Sequence, residues 1–135
     1  MIRMKKFDPN EQILKQAYAF PNDDELAVAE VLAKSTGEQI LFLAPHLIQG
    51  ARTPDLKIGD KLWEIKIPKG KGKFTIRHAL KAAVRQSENI VFDLRNWKLP
   101  EQKAISQIKN EFKISYTAKR VKIILKSEKI LDLEK

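Results

Sequence analysis

The stretch 61–94 constrains the fold more than any other part of the chain. It reads KLWEIKIP, then a basic loop, then TIRHALKAAVRQSEN, then IVFDL. The first segment alternates, with Trp63, Ile65 and Ile67 on one side and Glu64 and Lys66 on the other, the period of a strand with one apolar face. The middle segment sets Ile76, Ala79, Leu80, Ala83 and Ser87 at helical spacing behind Thr75 as its cap, and leaves Arg77, Lys81 and Arg85 on the opposite face. IVFDL is short and almost wholly apolar, the pattern of a strand buried on both faces. A helix between two strands is long enough to return the chain parallel to its start, so the chain is an α/β protein.

The flanking segments extend this unit. TPDLKIG precedes KLWEIKIP across Gly59-Asp60, a dipeptide suited to a tight turn, and the two read as a hairpin. PNDDELAVAEVLAKSTG predicts a helix over about 24–34, capped by Asn22 or Asp23, stopped by Gly37, with Leu26, Ala29 and Ala33 as its inner stripe. EQILFLAP is a further strand, LPEQKAISQIKNEF a helix beginning near Pro100, and KRVKIILKSEKILDL a final strand or strand pair. The order is helix, three strands, helix, strand, helix, strand, which predicts a mixed central sheet flanked by helices on both faces. One domain is expected over 1–135, with a mobile lead-in over about 1–20 and a core over about 24–125.

Charge narrows the partner. The chain has 26 Lys and Arg against 17 Asp and Glu, a net +9, which predicts a polyanion, nucleic acid ahead of a membrane surface. With 43% hydrophobic residues it has enough apolar content to fold without help. It has no cysteine, which excludes disulfides and thiolate zinc sites, and its two histidines, His46 and His78, cannot build a metal site alone. His46 is read as structural and His78 as a surface residue. No apolar run approaches the roughly 20 residues of a membrane span, and the first residues lack the apolar region of a signal peptide. A cytoplasmic protein is therefore expected, unless another segment carries it elsewhere.

The chemistry concentrates on one hairpin. Trp63 and the isoleucines already supply an apolar face, so Glu64 and Lys66 are not needed for folding. Asp55 stands nine residues before Glu64 across the turn, which lets two carboxylates converge beside a lysine. That arrangement suits a hard divalent cation, magnesium or manganese, which takes one or two carboxylates and completes its shell with water and substrate phosphate. Asp55 and Glu64 would hold the ion, while the Lys66 ammonium would orient the attacking water and offset charge at phosphorus. Glu30 falls on the predicted inner stripe of the first helix, where an acid needs a partner, and this makes it a further candidate ligand. Beyond Glu64 runs PKGKGK; Lys69, Lys71 and Lys73, with Arg77, Lys81 and Arg85, are candidate phosphate contacts.

Pro54-Asp55 followed by Glu64-Ile65-Lys66 resembles the PD-(D/E)xK motif of the restriction-endonuclease-like nucleases. Over about 24–125 the chain is similar to the C-terminal nuclease domain of CdiA-type contact-dependent growth inhibition toxins. The resemblance implies an α-β-β-β-α-β core, a helical glutamate at Glu30, a supporting amide at Gln86, and catalysis by Glu30, Asp55, Glu64 and Lys66. It also implies tRNA as substrate, a cognate immunity protein, and delivery into a target-cell cytoplasm as the tip of a larger secreted or surface-exposed protein. Two alternatives stay open: a DNA endonuclease of the same fold, of the Holliday-junction resolvase or restriction type, and a basic nucleic-acid-binding module without catalysis. Trp97 and Tyr116 could stack bases, but aromatics at strand ends more often close a core.

Overall fold

The computed structural model describes residues 8–45 and 53–135. The chain divides into two compact units, Met1–Leu62 and Trp63–Lys135. Among the described residues there are seven strands with parallel and antiparallel neighbours, so the expected mixed α/β class holds. No helix is long and apolar enough to cross a membrane among these residues.

Within the span expected as a lead-in, the described residues from Asp8 onward carry regular elements. Asp8 accepts the amide of Asn10 at 3.0 Å and so caps a single helical turn, α1 (Pro9–Gln12), which runs directly into β1 (Ile13–Lys15). Helix α2 (Asp23–Thr36) carries a full capping box: Asn22 Oδ1 accepts from the Glu25 amide at 2.8 Å, and Glu25 Oε1 accepts from the Asn22 amide at 3.0 Å. It ends at Gly37, in the left-handed region. The crossover returns the chain as β2 (Ile40–Phe42), parallel to β1 and antiparallel to β3 (Leu56–Ile58). Gln16 fastens the end of this sheet, its amide donating to the Phe42 carbonyl at 2.9 Å and its Oε1 accepting from Ala44 at 2.9 Å.

The buried face of α2 keeps Ala29 and Ala33 of the expected stripe but not Leu26. Val28, Ala29, Val31, Leu32 and Ala33 are buried, whereas Leu26 is 37% exposed. Val28 and Leu32, one turn apart, centre the packed face, and Leu26 lies two residues from Val28, just over half a turn away.

Gly59-Asp60 then turns the chain into β4 (Lys61–Lys66), and Gly59 adopts φ 60, a conformation that a side chain would strain. From Trp63 onward β4 belongs to the second unit. There it is followed by α3 (Thr75–Ala83), β5 (Asn89–Asp93), α4 (Glu101–Ile114), β6 (Arg120–Ile124) and β7 (Ile130–Glu134). Strands β4, β5 and β6 are parallel neighbours in that order, and β7 folds back antiparallel on β6, so the final segment is a strand pair.

Both crossovers advance the same way along the sheet, which places their helices on one side. Helices α3 and α4 pack against each other, so the expected flanking on both faces is not found within this unit. Ile76, Leu80 and Ala83 of α3 and Ala104, Ile105, Ile108 and Phe112 of α4 share a core with Ile90, Phe92, Val121 and Ile123 of the sheet. Each large apolar side chain buried there contributes about 1.5–3 kcal/mol. All of β5 is buried, as the IVFDL run predicts. Thr75 is the first helical residue and not the cap: Phe74 holds the cap position, without a side-chain hydrogen bond. Arg85 lies beyond the helix in the turn 84–86.

Candidate functional site

Strand β4 carries Glu64 and Lys66, the pair at the centre of the expected site. The parallel register sets Glu64 beside Ile90 and Lys66 beside Phe92. Both side chains therefore stand on the sheet face that carries α3 and α4, among residues that are otherwise apolar. On the opposite face Trp63 and Ile65 are buried, with Lys122 Nζ 5.4 Å from the centre of the Trp63 ring. Glu64 is only 7% exposed, so it is not part of a solvated edge. Lys66 Nζ lies 3.8 Å from Glu64 Oε2, with 29% of its own side chain exposed. That spacing exceeds a hydrogen bond of about 3 Å, so the charges attract while the ammonium keeps protons for another acceptor.

Lys66 is the last residue of β4, at the carboxyl end of the parallel strands, where open α/β sheets bind their ligands. The cationic loop leaves from that point. Pro68 is buried and anchors it, while Lys69, Lys71 and Lys73 are exposed. Gly70 lies against the start of α3: a Cβ there would stand 2.6 Å from Thr75 Oγ1, so a larger residue would force the Thr75 side chain or the loop to shift.

The other expected contacts differ in kind. Arg77, Lys81 and Arg85 are exposed, but Arg77 Nε is 3.1 Å from Glu111 Oε1, which commits part of its guanidinium to α4. Gln86 lies in the turn before β5, and its amide oxygen is buried without a hydrogen-bond partner among the described residues. An acceptor left so costs about 1–3 kcal/mol, and such groups call for a functional explanation. His78 is exposed, as expected, and His46 lies outside the described residues.

Asp55 is half-buried just before β3, its carbonyl accepting the Leu43 amide at 3.0 Å. Glu30 is exposed on α2, two residues from both Val28 and Leu32 and so turned away from the packed face. The burial that was expected to demand a partner for Glu30 is absent. The structure thus brings Glu64 and Lys66 together, while Asp55 and Glu30 belong to the first unit. Among the described residues no three or more His, Cys, Asp or Glu gather to hold a metal. Glu64 is nevertheless a hard, buried oxygen donor, and it fits an ion that keeps several waters and draws its remaining ligands from substrate.

Trp97 is 5% exposed and belongs to the core, whereas Tyr116 is 97% exposed and closes nothing. Two features escape a reading of the sequence. Asp93 is buried and held by Arg95 through Nε at 2.9 Å and Nη2 at 3.0 Å, its only signal being an acid inside an apolar run two residues before an arginine. Phe74 is 47% exposed, and its signal is an aromatic embedded in a basic run.

Residues 52–130 match the family described as the contact-dependent growth inhibition CdiA C-terminal domain. That span contains Asp55, Glu64, Lys66, the basic loop and Gln86, and leaves Glu30 outside. A chain of the CdiA-CT/CdiI toxin and immunity complex from Burkholderia pseudomallei is similar in fold, with a TM-score of 0.63 at 17% identity over 91% of this chain and 99% of that one. No curated protein matches.

Proposed function

This chain belongs to the contact-dependent growth inhibition CdiA C-terminal domain family, and from that premise we propose that it is a toxin domain of PD-(D/E)xK type that cuts nucleic acid by metal-dependent phosphodiester hydrolysis. The Glu64–Lys66 pair carries this assignment: a carboxylate and an ammonium 3.8 Å apart on a buried face, at the strand end from which a lysine loop departs. Glu64 would hold magnesium or manganese together with water and substrate oxygens. When bound, the ion polarises the phosphodiester and acidifies a coordinated water. The Lys66 ammonium donates to the attacking water or to a non-bridging oxygen and offsets the charge that grows at phosphorus. Lys69, Lys71 and Lys73 hold flanking phosphates, and Gln86 steadies the site. We take tRNA as the substrate of first choice.

The Burkholderia structure is a toxin and immunity complex. By analogy this chain is delivered into a target cell as the tip of a larger surface protein and is neutralised by a cognate immunity protein. Its net +9 calls for an acidic partner surface.

The test is cleavage of total tRNA and of plasmid DNA with and without magnesium or manganese, using the native protein, Glu64→Gln and Lys66→Met. Metal-dependent cutting of tRNA that both substitutions abolish supports the assignment. Cutting of DNA alone moves the chain to a DNA endonuclease of the same fold. Binding of both without cutting leaves a non-catalytic basic module.

A further inference from the structure

We infer that the exposed ring of Phe74 is a stacking platform for one unpaired base of the nucleic-acid substrate; this rests on the nucleic-acid reading above. Phe74 is 47% exposed although its neighbours Ile76 and Leu80 supply the core face of α3, so packing alone does not account for an aromatic there. Two cations stand over its ring, Lys73 Nζ at 5.7 Å and Arg77 Cζ at 5.3 Å from the ring centre, and the His78 ring is tilted beside it at 6.2 Å. An aromatic face with flanking positive charge meets both parts of a nucleotide, the π surface of its base and the phosphate on either side.

A cavity of about 180 Å³ adjoins the ring, lined by Lys73, Phe74, Ile76, Arg77, Gln107 and Glu111. It is smaller than the roughly 300 Å³ at which pockets for drug-sized ligands begin, and so has room for one planar group and little more. Ile76 gives it an apolar wall. Gln107 and Glu111 stand one turn apart on α4 and give it a polar one. Glu111 accepts from Arg77 at 3.1 Å and keeps acceptor capacity, while Gln107 offers a donor and an acceptor, so a base edge with an amino group finds partners on this wall. The loop between Lys66 and Phe74 joins the cleavage pair to this platform along the chain, and its lysines Lys69, Lys71 and Lys73 are exposed.

The experiment measures binding by the uncut complex, in a Glu64→Gln background, to tRNA and to a blunt RNA duplex. Phe74→Ala is expected to weaken tRNA binding by between about fivefold and a hundredfold, the span of base–aromatic stacking. It leaves the duplex within about twofold and the salt dependence unchanged, since stacking releases no counterions. Phe74→Leu, which keeps apolar volume without a π face, behaves like Phe74→Ala. Phe74→Trp keeps affinity, and its emission is quenched by tRNA, readable because Trp63 and Trp97 are 4% and 5% exposed. Equal losses on duplex and tRNA, full binding by Phe74→Leu, or unquenched emission would each overturn the assignment. So would a Phe74→Ala protein that loses affinity only for anionic vesicles, which would give the ring to a lipid surface. If the native protein cuts neither nucleic acid but Phe74→Ala still loses tRNA alone, the nuclease assignment falls and the platform stands.

Discussion

Replacing Glu64 by Gln distinguishes a carboxylate that does chemistry from one that holds a strand. The side chain keeps its volume, so no cavity opens, and the charge that faces Lys66 Nζ at 3.8 Å is removed. The gross attraction at that distance is about 4 kcal/mol for an effective dielectric near 20 and about 1 kcal/mol in water. The Lys66 side chain is 29% exposed, and the spacing is longer than a hydrogen bond, so solvent screening brings the net value down to about 1 kcal/mol or less. A tightly bonded, fully buried pair would lose about 3–5 kcal/mol on the same change. Urea unfolding followed by circular dichroism should therefore register a loss of no more than about 1 kcal/mol. Cleavage of tRNA by the same preparation should fall by about a hundredfold or more, the effect of removing one electrostatic group from a transition-state site. A stability loss of about 3 kcal/mol, with activity declining only as the folded fraction declines, would refute the reasoning and leave Glu64 as a structural residue.

Magnesium or manganese should raise the melting temperature of the native protein but not of Glu64→Gln, because only the native carboxylate binds the ion in the folded state; equal shifts would place the ion elsewhere. For tRNA binding measured by anisotropy over a range of salt, Lys71→Ala should lower the slope of log affinity against log salt by about 0.7, the single-strand value for one phosphate contact. Arg77→Ala should lower it by less, since Glu111 already neutralises part of that charge. Asn22→Ala removes one arm of the capping box and should destabilise the fold by about 1 kcal/mol in urea unfolding, with cleavage unchanged wherever the protein remains folded.

What could be read from the chain beforehand follows the range of the interaction involved. The ends of α2 were legible because Asn22 and Gly37 act within a few residues of themselves. Its buried face was legible only in Ala29 and Ala33, because Leu26, Val28, Ala29, Val31, Leu32 and Ala33 offer apolar surface almost all round the helix. The sheet then decides which of them pack, and Glu30 went with the wrong side. Glu64 and Lys66 were legible because a period of two fixes which side chains share a face without any tertiary information. Thr75 looked like a cap by residue type, yet the helix starts one residue earlier, against a loop whose path depends on Gly70 touching Thr75 itself. Trp97 and Tyr116 are chemically alike and were equally open, and only packing separates a core residue from an exposed one.

Phe74 marks the limit of such reading. Its cations come from the loop and α3, but Gln107 and Glu111 come from α4, more than thirty residues along the chain. No local period joins them. The proposed chemistry and the proposed recognition are thus supported by different physics. The Glu64–Lys66 pair is held by the alternation of one strand whose neighbours are core residues, and changes of side-chain volume there disturb the fold itself. The lysine loop and the Phe74 cavity lie on the surface, where most substitutions shift stability by no more than about 0.5 kcal/mol. On this scaffold the surface proposed to select a substrate can be rebuilt while the strand that carries the charged pair keeps its place, and so the proposed substrate choice should vary more readily than the proposed reaction type.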